Sequence, residues 1–132
     1  MDVARPIPGW SPSTPEVRGA ALDELAREHP VLVVHFWAAW NGVDPLTDRS
    51  IQAAAIRLSG RVRFVSLNVD LAENVELCRR YGLATVPTLL VLQDGRPRRL
   101  IVGHRGPDEL VADIEARLAD ADPIKPRWAF WK

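Results

Sequence analysis

The sequence predicts an α/β fold in which helices flank a mixed, mainly parallel central sheet that closes with a C-terminal antiparallel hairpin. Short β-branched, apolar segments at 31–37, 62–69 and 88–92 alternate with segments of helical periodicity. This alternation is typical of strands joined by crossover helices, which pair in parallel. The dipeptide Asp94-Gly95 follows the third apolar segment and is a strong signal for a hairpin turn, so the last strand runs antiparallel.

The N-terminal segment 1–15 contains four prolines and is predicted to be an extended arm. Ser13 or Thr14 is expected to cap a first helix with Pro15 at its first position. Apolar residues at helical spacing extend that helix to about Arg27. No strand is predicted before it, because prolines occupy the region.

The middle of the chain alternates strand and helix. Segment 31–37 is apolar at almost every position, as in a strand buried on both faces. Asp44 is predicted to cap the second helix, which Gly60 ends. Segment 62–69 is the next strand, and segment 72–81 is the third helix.

The C-terminal part supplies the hairpin and a last helix. Segment 88–92 is a buried strand, and 98–102 is the strand that returns after the turn. Pro107 opens the last helix. Residues 16–120 are therefore assigned to one domain, and residues 121–132 form a basic and aromatic tail. Trp128, Phe130 and Trp131 in this tail are a possible anchor on a partner.

Composition narrows the class of protein. The chain has 132 residues, which suits one domain, and its 17 basic residues balance its 17 acidic ones. A neutral chain without a long apolar run predicts neither a nucleic-acid partner nor a membrane partner. Cys78 is the only cysteine, so a disulfide framework is excluded and a cytoplasmic location is expected.

Several local motifs resemble the thioredoxin family over residues 20–118. Residues 36–40 (Phe-Trp-Ala-Ala-Trp) are similar to the strand end that leads into the family's active site. Residues 81–89 (Tyr-Gly-Leu-Ala-Thr-Val-Pro-Thr-Leu) are similar to the segment with the family's cis-proline, which here is Pro87. The resemblance therefore implies a thioredoxin fold with a cis peptide bond before Pro87.

The departures from the family concern its chemistry. Where the family has Trp-Cys-Gly-Pro-Cys, this chain has Trp40 followed by Asn41, Gly42, Val43 and Asp44. A dithiol reaction needs one thiolate to attack and a second thiol to resolve the mixed disulfide. The family's usual buried acid and its lysine are also replaced, by His35 and Ser66. His35 lies on an apolar strand and is expected to be a hydrogen-bonded core residue rather than a metal ligand.

The resemblance also implies a peptide-binding groove that persists without the cysteines. An extended peptide would pair with the backbone of Val86, and Trp40 would be an aromatic anchor. His104 stands where the family usually has a small residue, so it would block ordinary substrates or make binding depend on pH. The predicted groove residues are Trp40, Val69, Thr85, Val86, Pro87, Gly103 and His104.

The sequence analysis therefore favours a redox-inactive protein-binding module, such as a chaperone, an assembly factor or a complex subunit, that binds another protein or peptide. No enzymatic activity, cofactor or metal is expected. Two alternatives remain open. One is a glutathione-binding enzyme that uses Asn41 at the start of the helix. The other is a redox protein with a single thiol, Cys78, although a free cysteine is more often a small buried apolar residue.

Overall fold

The computed structural model describes residues 7–119. The elements in chain order are α1 (Gly19–Glu28), β1 (Val31–Trp37), α2 (Asp44–Arg57), β2 (Arg63–Asn68), a 3₁₀ turn (Ala72–Asn74), α3 (Val75–Arg80), β3 (Thr88–Gln93), β4 (Arg96–Pro97), β5 (Ile101–Val102) and α4 (Pro107–Ala119). None of these helices is long and apolar enough to cross a membrane. The predicted tail anchor at Trp128, Phe130 and Trp131 lies outside the described residues.

The sheet has the order β2-β1-β3-β4, and β5 also pairs with β3. Strands β1 and β2 are parallel, whereas β3 is antiparallel to β1, β4 and β5. The predicted thioredoxin fold, with a mixed sheet, a closing antiparallel hairpin and flanking helices, is confirmed. The antiparallel pairs outnumber the parallel pair among the named strands, however. The alternation of strands and helices could not indicate this, because α3 returns the chain to the far side of β1 in the opposite direction.

Two apolar cores lie on opposite faces of the sheet, because successive strand residues point to opposite sides. One core packs α1 and α3 on one face and contains Leu22, Leu32, Val34, Phe36, Leu77 and Leu90. The other packs α2 and α4 on the opposite face and contains Val33, Ile51, Leu58, Leu89, Leu110 and Ile114. Strand β1 contributes to both cores, which explains its continuous apolar sequence.

The N-terminal segment differs from the prediction. Neither Ser13 nor Thr14 caps α1, which begins only at Gly19 and has no side-chain cap. The backbone amide and hydroxyl of Ser13 instead donate to the carboxylate of Asp48 in α2. Glu16 forms a parallel bridge to Ser66 in β2, so the start of an N-terminal strand is present after all. The backbone of residues 15–17 pairs with Ser66 of β2, about 50 residues later in the chain. This pairing outweighs the local sequence features, Ser13, Thr14 and Pro15, that favour the start of a helix.

Two other elements are shorter than predicted. The third helical segment starts as a 3₁₀ turn and continues as α3 only to Arg80. The returning strand is divided into β4 and β5. The Arg117 guanidinium donates to the carbonyls of Arg99 and Leu100, at 2.7 and 2.9 Å, in the interval between the two strands. These carbonyls are thus paired with a side chain of α4 and not with a strand.

Candidate functional site

The candidate site lies at the end of the sheet where β1 leads into α2. The backbone amide of Asn41 donates to the carbonyl of Ala38 at 3.1 Å, and that of Asp44 donates to the carbonyl of Asn41 at 3.2 Å. These bonds form a compact turn over residues 38–44, which we call the site turn. It carries Trp40 and the four residues that replace the family's cysteine motif, Asn41 to Asp44.

Asp44 does not cap α2, contrary to the prediction. It is the first helical residue, and its side chain makes no capping hydrogen bond to the helix. Its fully buried carboxylate faces back into the site turn instead, where Oδ2 accepts from the backbone amide of Ala38 at 3.1 Å. Helix α2 begins at this carboxylate, but the carboxylate stabilises the turn that precedes the helix.

His35 is the third element of this arrangement. Its side chain is 1 % exposed, and its Nε2 lies 2.8 Å from Oδ1 of Asp44, with the ring N–H donating to the carboxylate oxygen. The expectation of a hydrogen-bonded core histidine is therefore confirmed. Its other ring nitrogen, Nδ1, is buried and has no hydrogen-bond partner among the described residues. His35 is consequently anchored on one side only, by Asp44.

Asn41 completes the hydrogen bonding of the site turn. Its Nδ2 donates to Oδ2 of Asp44 at 3.1 Å, and its Oδ1 accepts from the backbone amide of Val43 at 3.3 Å. The two side chains that stand at the family's cysteine positions are thus joined by a hydrogen bond. Because both polar ends of Asn41 are occupied within the turn, its role in this structure is to hold the turn together.

An apolar cavity of about 350 Å³ opens beside the site turn. We call it the groove cavity, and its lining comes from the turn, from the loop after β2, from α3 and from the loop before β3. Four of the predicted groove residues line it: Trp40, Val69, Thr85 and Val86. Four further residues complete the lining: Val75, Cys78, Leu83 and Ala84.

Trp40 is the one aromatic residue among the described residues that line the cavity, and 62 % of its surface is accessible. Its indole nitrogen donates to Oδ1 of Asp70 at 3.2 Å. This bond links the site turn to the loop after β2 across one wall of the cavity. An exposed aromatic side chain that is held at a fixed place is a common anchor in protein interfaces.

Cys78 lines the groove cavity although it lies 34 residues after Asp44 in the sequence. It is a free thiol of intermediate burial. Burial raises the pKa of the Cys78 thiol above its ordinary value, and a hydrogen bond with its own backbone opposes that shift. The thiol is therefore predominantly protonated at neutral pH, and thiolate formation requires a higher pH.

The loop before β3 forms the backbone edge of the groove. The Val86–Pro87 peptide bond is cis, as the resemblance implies. The pairing of β3 begins only at Thr88, and the backbone amide of Val86 has no backbone partner among the described residues. The amide of Val86 is thus available to an added strand, as the predicted peptide binding requires, whereas its carbonyl accepts from the exposed hydroxyl of Thr85 at 3.5 Å.

Three predicted groove residues lie beside the cavity without lining it. The amide of Gly103 donates to the carbonyl of Pro87 at 2.9 Å, and Gly103 has a φ of 89°, which favours glycine. The Nδ1 atom of His104 lies 3.1 Å from Oγ1 of Thr47, in the first turn of α2. His104 therefore contacts the α2 side of the site, whereas the cavity lies on the α3 side.

The sequence analysis missed Val75, Leu83, Ala84 and the position of Cys78. A signal was available for two of them, because residues three apart share a face of a helix and Val75 and Cys78 have that spacing. Nothing in the sequence indicated that this face of α3 turns toward Trp40. That proximity depends on the return of the chain from α3 to β3.

Comparison with known proteins identifies close similarities. The thioredoxin family's sequence model matches residues 15–116. The chain is 36 % identical to the thioredoxin of Alicyclobacillus acidocaldarius subsp. acidocaldarius over 93 residues, which cover 70 % of this chain and 82 % of the relative. It is 32 % identical to the thioredoxin of Synechocystis sp. over 108 residues, which cover 80 % of this chain and 98 % of the relative.

Solved structures agree with this similarity. A thioredoxin variant from Halobacterium salinarum NRC-1 superposes with a TM-score of 0.68 at 28 % identity and covers 82 % of this chain and 94 % of its own. Mitochondrial thioredoxin 3 from Saccharomyces cerevisiae, in its oxidised form, superposes with a TM-score of 0.70 at 23 % identity and covers 79 % of this chain and 95 % of its own. The second likeness concerns the fold alone.

These relatives overturn the functional prediction from the sequence. The prediction of a redox-inactive binding module without enzymatic activity is wrong, because the relatives are named thioredoxins, and that name points to redox chemistry. The prediction gave decisive weight to Asn41 and Asp44, the residues at the two cysteine positions. Cys78 is the only thiol of the chain, so thiol–disulfide chemistry has one candidate residue.

Proposed function

Because the chain belongs to the thioredoxin family, we propose that it carries out thiol–disulfide exchange through Cys78, on a peptide bound in the groove cavity. One observation carries the proposal: the only thiol of the chain lines the same cavity as Trp40 and Val86. The thiol thus lies where the aromatic anchor and the open backbone edge would hold an extended peptide.

The exchange has two steps, and neither needs an external oxidant or reductant, because each step replaces one S–S bond by another. The Cys78 thiolate attacks one sulfur of a disulfide in the bound peptide, the S–S bond breaks, and the other sulfur leaves as a thiolate that takes up a proton. A mixed disulfide now joins Cys78 to the peptide. A thiolate from a second molecule then attacks the peptide sulfur of this bond, forms a new disulfide with the peptide and releases the Cys78 thiolate, which takes up a proton. The second molecule is needed because the chain has no other cysteine.

Substrate binding relies on two kinds of contact. The cavity walls are mainly apolar, so they favour apolar side chains of the peptide around its disulfide. The open backbone of Val86 offers hydrogen bonds of the kind that a neighbouring strand makes. The first contact selects for sequence and the second for extended conformation. An extended peptide with apolar residues next to its disulfide is the substrate class that this geometry favours.

The thiol suits slow exchange that accelerates with pH. Burial raises the Cys78 pKa, so few molecules carry the thiolate at neutral pH. A thiolate of higher pKa is intrinsically more nucleophilic, which compensates for part of that loss. The reaction therefore depends on prior binding, which holds the disulfide close to the sulfur and raises its effective concentration.

The test is formation of a mixed disulfide with an apolar peptide that carries one activated disulfide, followed by mass spectrometry of the intact protein. We expect wild-type protein to gain the mass of one peptide, and Cys78→Ser to gain none. Val75→Glu places a charge on the cavity rim and should slow the reaction. Ile56→Glu is its matched control, because Ile56 is an equally apolar, more exposed residue of α2 outside the cavity.

The proposal is wrong if folded wild-type protein gains no peptide mass at pH 8 under conditions in which the urea-unfolded chain does. It is also wrong if Val75→Glu and Ile56→Glu react with the peptide at the wild-type rate. In that case the cavity would contribute nothing to the reaction, and Cys78 would react as any partly accessible thiol does.

A further inference from the structure

The buried carboxylate of Asp44 collects three donors from three parts of the chain. His35 donates from β1, the amide of Ala38 donates from the beginning of the site turn, and Asn41 donates from its middle. His35 and Asp44 are 1 % and 0 % exposed, so water does not compete for the bond between them. A buried carboxylate that accepts from three groups at once holds those groups in one arrangement.

Trp40 lies between two of these donors in the sequence. The amide of Ala38, two residues before it, and the side chain of Asn41, one residue after it, both bind Asp44. The backbone around Trp40 is therefore held at both ends by one carboxylate. From this position the indole donates to Asp70 and lines the groove cavity.

We propose that the His35–Asp44 pair is a positioning unit for the groove cavity: it holds the site turn so that Trp40 forms a wall beside Cys78, and thereby decides which molecules reach the thiol. The effect on the thiol's reactions rests on the function proposed above, whereas the effect on Trp40 does not. The pair touches no substrate and acts only through the turn.

The chain contains a matched control for Asp44. Asp48, one helical turn further along α2, is also buried, at 3 % exposure. Its carboxylate likewise accepts from three groups: the amide of Ser13, the hydroxyl of Ser13 and the side-chain amide of Gln52. None of these groups belongs to the site turn. A general loss of helix stability would follow from either substitution, but a change at Trp40 should follow from Asp44 alone.

The substitutions Asp44→Ala and Asp48→Ala remove both acceptor oxygens of each carboxylate. Asp44→Ala leaves the amide of Ala38 and the side chain of Asn41 without their acceptor, so both bonds of the turn to this carboxylate are lost. His35→Phe removes the donor from β1. His35→Gln keeps a side-chain NH₂ that can donate to Asp44, and serves as the conservative rescue.

Trp40 is observed directly by ¹⁹F NMR of protein labelled with 5-fluorotryptophan, with Trp40→Phe used to assign its resonance among the five tryptophans. We expect Asp44→Ala and His35→Phe to shift or broaden the Trp40 resonance. In Asp44→Ala the amide proton of Ala38 should also exchange about fivefold faster, the factor that one lost hydrogen bond produces in an equilibrium. Asp48→Ala and His35→Gln should leave both signals close to those of wild type.

The reactions of Cys78 provide a second readout. Loosening of the turn should speed alkylation of Cys78 by iodoacetamide, because Trp40 no longer restricts access to the thiol. It should slow exchange with the apolar peptide disulfide, because the peptide loses the cavity wall that Trp40 provides. Opposite changes in two reactions of one thiol do not follow from a general loss of stability, which would raise access for both reagents.

The positioning role is refuted if Asp44→Ala leaves the Trp40 resonance and the Ala38 exchange unchanged, or if Asp48→Ala alters them equally. Should Asp44→Ala not fold, the comparison of His35→Phe with His35→Gln decides, and equal Trp40 signals in those two variants refute the role. Absence of peptide exchange in wild-type protein would refute the proposed function, while the Trp40 signals would still decide the positioning role.

Discussion

The two faces of the sheet end in different ways at the candidate site. On the face of α1 and α3, the apolar core continues into the groove cavity. Cys78 and Val86 are partly buried residues that pack against this core and also line the cavity. On the face of α2 and α4, the end of the core is polar and closed, with His35 and Asp44 buried. One face is thus open and adaptable, whereas the other is fixed by hydrogen bonds.

This difference indicates a division of labour. The open face offers surface and a thiol to another molecule, and it makes few polar contacts of its own. On the closed face, His35 and Asp44 are buried from solvent, but Asp44 sets the conformation of the site turn. Substitutions on the closed face should therefore affect stability first, and substitutions on the open face should affect reactivity first.

The largest expected effect is on the closed face. Asp44→Ala leaves two buried donors, His35 and the amide of Ala38, without their acceptor and should lower the free energy of unfolding by about 2–6 kcal/mol, at about 1–3 kcal/mol for each donor. Asp48→Ala should cost about 1–2 kcal/mol, because exposed Ser13 can turn to water. Urea unfolding followed by circular dichroism measures both, and equal losses would contradict the division between the faces.

A smaller effect is expected on the open face. Trp40→Ala should change the free energy of unfolding by no more than about 0.5 kcal/mol, because most of the side chain is exposed. It should slow exchange with the apolar peptide disulfide about tenfold, as expected for loss of an aromatic anchor. The same urea titration and the mass-spectrometric assay measure the two quantities. A variant that is destabilised but exchanges normally would reverse the assignment of Trp40.

The smallest effect concerns the pH dependence of Cys78 in the intact protein. Burial favours the neutral thiol and so raises the pKa of Cys78 in the folded state. The alkylation rate should therefore reach half its maximum at a higher pH than it does in a short cysteine peptide. In such a peptide the midpoint lies at about pH 8.5. Rates of iodoacetamide labelling from pH 6 to 11 measure this midpoint. A midpoint at or below that of the peptide would place Cys78 in a polar environment, contrary to the apolar lining of its cavity.

The raised pKa of Cys78 also makes the stability of the folded protein depend on pH. Because the folded-state pKa of Cys78 lies above that of the unfolded chain, its contribution to stability is complete below the unfolded pKa and is lost as the pH rises through the folded pKa. Cys78→Ser removes this titration. The variant should therefore lose less stability than wild type between pH 7 and pH 10.

The sequence alone determined most of the fold. The order of helices and strands, the two faces of β1, the hairpin at Asp94-Gly95 and the thioredoxin-like segment around Pro87 all follow from periodicity or motifs within short windows. A short segment is enough to predict its own element, because the spacing of its apolar residues determines whether a helix or strand buries one face or both. The absence of cysteine at positions 41 and 44 was equally plain.

Only the tertiary structure decided the chemistry of the site. Asp44 has the residue type and position of a helix cap, yet its carboxylate turns back to His35, nine residues earlier, because a buried donor was available there. Ser13 likewise binds Asp48 across 35 residues, rather than capping a helix nearby. Cys78 reaches the groove cavity only because α3 packs beside the site turn. Contacts over such separations depend on how the elements pack together, and no local pattern of residues specifies that packing.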